Sequence, residues 1–359
     1  MSKNLFDPLT FAHGPAMKNR FMLAPLTNLQ SHPDGRLTDE ELHWLTMRAD
    51  GGFGGVMSCG AAVQKVGQGF PGQLGIYSDD HIEGLAGLAA GIKRQQCLAV
   101  MQLLHCGMRA PANLIGEPPV CPSDNPETGA RALSGAEVEQ LIEDFVRAAE
   151  RAEQAGFDGV ELHGAHGYLL CQFLSAESNH RTDRWGGSLE NRERPIREII
   201  AGVRARCRPD FSLGLRLSPE RFGVKLAEIR DFAQALINER QLDYLDMSLW
   251  DFTKEPEEAE FKGRSLMSYF TELDRGNVRI GVAGKVSTAE SAATALDAGA
   301  DFVLVGRSAI LHHDFPERVR GNPGFLPNPL PVTPAYLSSE GLSPAFIKYL
   351  GVFPGFVAA

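Results

Sequence analysis

Two rhythms of apolar and polar residues alternate along this chain. Short apolar runs of strand length recur at 21–26, 55–60, 98–104, 158–163, 212–217, 244–249, 278–283 and 302–306. Between them the spacing changes to three and four. It is clearest over 135–154, where Val138, Leu141, Ile142, Phe145, Ala149 and Ala152 fall on one helical face. Thr38 with Glu41, Ser134 with Glu137, and Ser287 with Glu290 have the spacing of a capping box, in which hydroxyl and carboxylate satisfy free backbone amides reciprocally. Eight strand–helix alternations predict an α/β fold, a single (β/α)8 TIM barrel. The stretch 5–20, with Pro8, Gly14 and Pro15 between short apolar pieces, predicts an N-terminal hairpin lid before the first strand.

Two segments break the rhythm after strands three and six. Residues 107–132 carry five prolines and three glycines, too long for an ordinary strand-to-helix loop, and 251–264 form an acidic excursion. Both are expected over the active-site face. No repeat and no second domain emerges, so 1–359 reads as one domain; the tail 321–359, with seven prolines and little periodicity, supports no placement.

Composition narrows the function classes. With 43% hydrophobic and 22% charged residues the chain has the makings of a large core and a solvated surface. A net charge of −10 without a basic cluster argues against nucleic acid. Cysteines 59, 97, 106, 121, 171 and 207 form no C-x-x-C pair, which fits reduced thiols in the cytoplasm. No apolar h-region marks the N-terminus MSKNLFDPLT and no run has the ~18–20 apolar residues of a membrane span, so no membrane association is expected.

Candidate chemistry gathers at strand ends, where an α/β barrel keeps its active site. His163, His166 and Tyr168 follow the fourth strand. Arg216 interrupts the apolar fifth strand, and a buried cation requires a partner. Gly284-Lys285 and Gly306-Arg307 end strands seven and eight; barrels often bind phosphate between those two loops, through backbone amides that glycine leaves accessible and a neighbouring cation.

Taken whole, H-G-A-H-G-Y-L-L-x-Q-F-L-S at 163–175, followed by S-N-H-R-T-D-x-W-G-G-S-L-E-N-R at 178–192, resembles the Old Yellow Enzyme family of FMN-dependent ene-reductases. Trp185 stands where that family usually has tyrosine. The resemblance covers about 5–320 and implies bound FMN, NAD(P)H as reductant, and an α,β-unsaturated carbonyl or nitro compound as acceptor, served in a ping-pong cycle. It implies that His163 and His166 hold the acceptor oxygen while Tyr168 donates a proton to its α-carbon. Ala24, Pro25, Leu26 and Thr27 at the end of strand one, Gly60 and Gln102 would contact the flavin, with the Thr27 hydroxyl on its C4 oxygen. Arg216 would stand beside N1 and O2, and Gly284, Lys285, Gly306 and Arg307 would hold the phosphate. The family's H-x-G-R is H-C-G-M-R here, which leaves Met108 and Arg109 without an assigned role. No match in 330–359 answers to the C-terminal segment by which some relatives reach a neighbouring subunit, so a homo-oligomer is neither required nor excluded.

Two other readings stand beside this one. A metal-dependent hydrolase could use His105, His163 and His166 as ligands. A flavin-binding protein could have lost catalysis.

Overall fold

The computed structural model describes residues 4–358; Met1–Lys3 of the N-terminal stretch considered above, and Ala359, lie outside the described residues. Eight parallel strands close a barrel: β1 Phe21–Leu23, β2 Gly55–Met57, β3 Leu98–Leu104, β4 Gly159–Gly164, β5 Ser212–Leu217, β6 Tyr244–Ser248, β7 Arg279–Ala283 and β8 Phe302–Val305. Each pairs with its sequence neighbour, and β1 with β8 (Phe21 opposite Val303) completes the ring. The first two strands are shorter than their apolar runs. Pro25 has no amide for a ladder, and the second run breaks at 58–60 before a two-residue strand, Ala61–Ala62, resumes pairing with β3.

Helices α1 Asp39–Asp50, α2 Ile82–Lys93, α3 Gly135–Gln154, α4 Leu189–Arg206, α5 Leu226–Glu239 and α6 Ala289–Asp297 cover the outside. In α3 the expected face is buried and Ser134 with Glu137 forms the complete capping box. The other two starts differ. Thr38 accepts the Glu41 amide, but the Glu41 carboxylate turns inward to Asn28, Ser31 and Cys59. The α6 box uses Thr288 and Ser291, one residue beyond the expected Ser287 and Glu290, because the Ser291 hydroxyl supplies the return bond.

The 5–20 segment is a hairpin bridged at Leu9 and Met17, and both side chains plug the barrel floor beside Met22, Met57 and Phe302. The tail is ordered into two helices, α7 Pro334–Ser339 and α8 Pro344–Leu350. Each starts with a hydroxyl N-cap, Thr333 or Ser343, followed by proline at the first helical position. Gln30 accepts the Ser343 amide, His313 pairs with Glu340, and Phe346 packs edge-on to Trp44, which fastens the tail to the barrel's C-terminal end. Among the described residues no helix is long and apolar enough to cross a membrane.

Candidate active site

Period-two alternation decides what each strand offers the interior. In β4, β5 and β6 the outward positions are Val160, Leu162, Leu213, Leu215, Leu217, Leu245 and Met247, all in the core under the helices. The alternate positions carry Glu161 and His163, Gly214 and Arg216, and Tyr244, Asp246 and Ser248. Register sets His163 opposite Arg216 and Arg216 opposite Asp246. Gly214 is required here: a Cβ would fall 2.1 Å from the Tyr244 ring, which fills its place.

Beyond β4 the chain turns sharply. His166 has φ 60° and Gly167 φ 67°, and the His166 amide donates to Ser218 Oγ at 2.9 Å. Of the eight non-glycine residues with positive φ among those described, six (Leu29, His166, Arg221, Phe222, Trp250 and Lys285) lie in loops at this one end. Left-handed backbone costs of order 1–3 kcal/mol per residue and collects where a site demands it.

The two histidines bond to each other: His163 Nε2 and His166 Nδ1 are 3.2 Å apart. The Ala165 amide donates to His163 Nδ1, so His163 carries its proton on Nε2 and donates to His166, whose Nε2–H then donates to Ser248 Oγ at 2.7 Å. Burial, with the Arg216 charge second, pushes His163 down to about 3 and His166 well below its ordinary value. Both rings are therefore neutral donors near pH 7. The Tyr168 ring lies 5.1 Å from His163, and burial raises its phenol. Arg109, unassigned from sequence, stacks 4.7 Å over the Tyr168 ring and donates to the His166 carbonyl.

A cavity of about 640 Å³ opens at this end, lined among others by Thr27, His166, Tyr168, Arg307, Phe346 and Tyr349. Leu26, Thr27 and Arg307 thus reach the same space as His166 and Tyr168. Ala24 is buried just below, its amide bonded to Val305 O, and Pro25 is partly buried beside it. Ser308 Oγ donates to Ser287 O, joining the two candidate phosphate loops, and Gly306 lies against Leu26 and Ala24, where a Cβ would make ordinary contacts at 3.5 and 3.9 Å. Gly284 packs its backbone against that of Trp250 and Asp251. Lys285 differs from Arg307: it is 74% exposed, paired with Asp251 at 3.0 Å, and absent from the cavity wall. Gly60 leaves room for Leu104 and Gln102, since a Cβ there would sit 2.6 Å from Leu104. Gln102 donates to Glu161 at 2.7 Å. His105 stands apart from the histidine pair, bonded through Nε2 to Gln64 and through Nδ1 to the Gly107 amide, so neither nitrogen is free for the metal set considered above.

Sequence reasoning passed over Glu161, Tyr244, Asp246 and Ser248, although the argument that singled out Arg216, a polar group inside an apolar strand, applies to each. It also passed over Phe346, Tyr349 and Leu350; hydroxyl-then-proline at 333–334 and 343–344 was the available signal. The long motif at 178–188 proves to be a brace. Asn179 donates to the carbonyls of Phe173 and Trp185, and Arg181 to those of Pro122 and Leu133, pinning the first excursion.

A sequence model of the NADH:flavin oxidoreductase / NADH oxidase family matches residues 4–323. The chain belongs to the Old Yellow Enzyme family. It is 36% identical over 329 residues to the probable NADH-dependent flavin oxidoreductase YqiG of Bacillus subtilis, covering 89% of this chain and 88% of that one. It is also 36% identical to the NADH:fumarate oxidoreductase of Klebsiella pneumoniae, over 89% of this chain but only 36% of that protein. Among solved structures, the Old Yellow Enzyme homologue of Zymomonas mobilis superposes with a TM-score of 0.81 at 28% identity, over 95% and 98% of the two chains. Morphinone reductase in complex with tetrahydroNAD gives 0.78 at 28% identity over 93% and 94%. Family membership makes the protein an NAD(P)H-dependent flavin oxidoreductase with FMN as cofactor. The residues present fit that group: Arg216 Nε is buried without an aligned hydrogen bond below the mouth, and Arg307 and Thr27 face one cavity.

Proposed function

We propose that this Old Yellow Enzyme reduces activated C=C bonds of α,β-unsaturated carbonyl or nitro compounds, with NAD(P)H and the acceptor using the same cavity in turn. The observation that carries the reading is the meeting, in one cavity, of the expected cofactor residues Thr27 and Arg307 with His166 and Tyr168. FMN, when bound, relays hydride between the two substrates.

The chain's own groups do the rest. Gly306 and Arg307, with Gly284 nearby, hold the phosphate; Lys285 would have to leave Asp251 to join them. Gln102 and Arg216 take the polar edge of the ring, Thr27 its C4 oxygen, and Ala24, Pro25, Leu26 and Gly60 the backbone side. His163 and His166 are neutral, so they polarise an acceptor oxygen by N–H donation without giving up a proton. To do so, at least one must exchange its present partner, His166 or Ser248, for that oxygen. Tyr168 then delivers a proton to carbon. Its raised phenol holds that proton firmly, which suits delivery only to a carbon made strongly basic. The apolar wall of Phe222, Phe346 and Leu350 excludes water and suits a small organic acceptor. Six free, buried cysteines and the net charge of −10 are consistent with a cytoplasmic enzyme that does not bind nucleic acid.

Rapid mixing of each half-reaction tests this. Tyr168→Phe should still be reduced by NAD(P)H but should pass hydride to 2-cyclohexenone far more slowly than wild type. Enone reduction at the wild-type rate would remove Tyr168 from the reaction.

A further inference from the structure

Beneath the mouth lie two buried carboxylates, beside Arg216, that the reaction above does not use. Arg216 Nε is 3.0 Å from Asp246 Oδ2, and the Asp246 side chain is 0% exposed. Glu161, also fully buried, lies one strand from Arg216 and two positions deeper, opposite Gly214. Its Oε1 accepts from Gln102 and its carboxyl interacts with the Tyr244 phenol, but neither Oε2 nor either oxygen of Asp246 has a well-aligned hydrogen bond, despite the close Arg216 charge. Two carboxylates and one guanidinium in a buried interior would carry a net negative charge if all were ionised. Burying that excess costs several kcal/mol, so the group relieves it by keeping a proton. Asp246 faces the cation directly; Glu161 faces an amide and a phenol.

We propose that Asp246 and Glu161 are positioning residues for the cofactor: they share one proton, and the single negative charge that remains, on Asp246, sets how much of the Arg216 charge reaches the FMN ring. This rests on the reading that Arg216 adjoins the ring. The surroundings agree on where the proton resides. Burial first, and the Asp246 charge second, raise Glu161, while Arg216, Gln102 and the Tyr244 hydroxyl oppose the shift. Asp246 is raised by burial and opposed by Arg216. From the neighbouring elements the pair meets Gln102 on β3, His163 on its own β4, Arg216 on β5 and Tyr244 on β6. The strand on the far side of Asp246 offers Gly281, which carries no charge. A purely structural polar layer should satisfy its own atoms, since an unpaired buried group costs about 1–3 kcal/mol. The unpaired oxygens here leave Arg216 held by the charge of Asp246, beside one hydrogen bond from Arg216 Nη2 to Ser248 Oγ at 3.3 Å. Its field at the ring then depends on Asp246, and a reduced, negatively charged ring responds to that field.

The test is the ratio of reduced to oxidised FMN in the holoenzyme, equilibrated against a redox dye, together with FMN affinity by fluorescence. Asp246→Asn leaves Arg216 less neutralised, so the ratio should rise about tenfold, about 30 mV for a two-electron couple. Glu161→Gln, which mimics the protonated acid, should leave it unchanged at neutral pH. Arg216→Gln should lower it. If Arg216→Gln has no effect, the placement of Arg216 at the ring is wrong; if Arg216→Gln shifts the ratio and Asp246→Asn does not, the carboxylate proposal alone fails. Should Asp246→Asn not fold, the pH profile decides: the wild-type ratio should fall additionally on the alkaline side as Glu161 loses its proton, and Glu161→Gln should abolish that extra fall. Coincident profiles would overturn the proposal.

Discussion

Two halves of one barrel interior are built by the same alternation and filled in opposite ways. On the β8, β1 and β2 side the inward residues are Met22, Ala24, Met57, Phe302 and Leu304, joined by Leu9 and Met17 of the floor hairpin. On the β3 to β6 side Leu98, Val100 and Tyr244 continue that apolar floor, but above it stand Gln102, Glu161, His163, Arg216, Asp246 and Ser248, all buried. The outward faces of both halves are alike, leucine, valine and methionine against helices. Outward positions thus specify the barrel, and inward positions divide between holding it shut and doing chemistry. An apolar interior tolerates small shifts in register because dispersion and burial are non-directional. A polar interior does not, since each group needs a partner at a set distance.

Damage to the apolar half should have the largest effect on stability. Phe302 is fully buried and packs edge-on against Tyr244 (5.6 Å) and Phe11 (6.2 Å), over the space that Gly281 leaves. Phe302→Ala should cost about 3–5 kcal/mol in urea unfolding, while the potential of bound FMN stays unchanged. Glu161→Gln should lose little stability near neutral pH, and its effect on the potential should be confined to removing the alkaline fall. A large potential shift in Phe302→Ala would mean that the two halves are not separable.

Next in size is the loss of a donor at the mouth. Replacing His163 or His166 by alanine should cost about 2.7–4 kcal/mol in acceptor reduction if each acts as an oxyanion-type donor, and should weaken binding of phenols that imitate the polarised acceptor. Equal phenol affinity in both mutants and wild type would leave the pair with a structural role only.

Much of the outward pattern was legible from sequence and much of the inward one was not, for physical reasons. Eight apolar runs located all eight strands, and the α3 face Val138 to Ala152 was readable because helical spacing repeats over twenty residues. The histidine pair and Tyr168 were legible through a long motif. That motif said nothing of their bonding to each other, because tautomer and partner depend on Ser248, which lies 82 residues away and two strands across. Lys285 and Arg307 look alike in sequence, as Gly-Lys and Gly-Arg. Only the nearby Asp251 separates them, by holding Lys285 on the surface. The tail escaped prediction because its helices are short and their apolar faces pack against α1 and the mouth, contacts that no local period encodes.

Acid should separate the halves more gently. Burial pushes His105 and His163 down to about 3 and His166 well below the ordinary 6.5. Between 6.5 and about 3 the unfolded chain binds protons at positions 105 and 163 and the folded chain does not, and His166 acts in the same direction. Their contribution is therefore complete above pH 6.5 and is lost as the pH falls. Each histidine costs about 1.4 kcal/mol per pH unit in the lower part of that window, about 2 kcal/mol over one and a half units. His105→Asn should reduce the slope of unfolding free energy against pH by about one proton. An unchanged slope would mean that His105 titrates normally.

The smallest effect expected concerns the place where the tail meets the barrel. The Tyr349 phenol of α8 interacts with the Thr27 side chain, and both line the cavity. If the Thr27 hydroxyl also donates to the C4 oxygen of FMN, its own oxygen remains free to accept from Tyr349, and the two bonds form a short chain in which each polarises the next. Removing the near link, Thr27→Ala, should lower the potential of bound FMN and slow reduction by NAD(P)H, because a donor on that oxygen favours the electron-rich ring. Removing the far link, Tyr349→Phe, should lower it in the same direction but by less, since the Thr27 hydroxyl stays in place. The double mutant discriminates: residues in one chain are not additive, so it should match Thr27→Ala alone. Additive shifts would mean that Tyr349 reaches the cofactor by another route, and no shift in Tyr349→Phe would confine the tail to shaping the acceptor's side of the cavity.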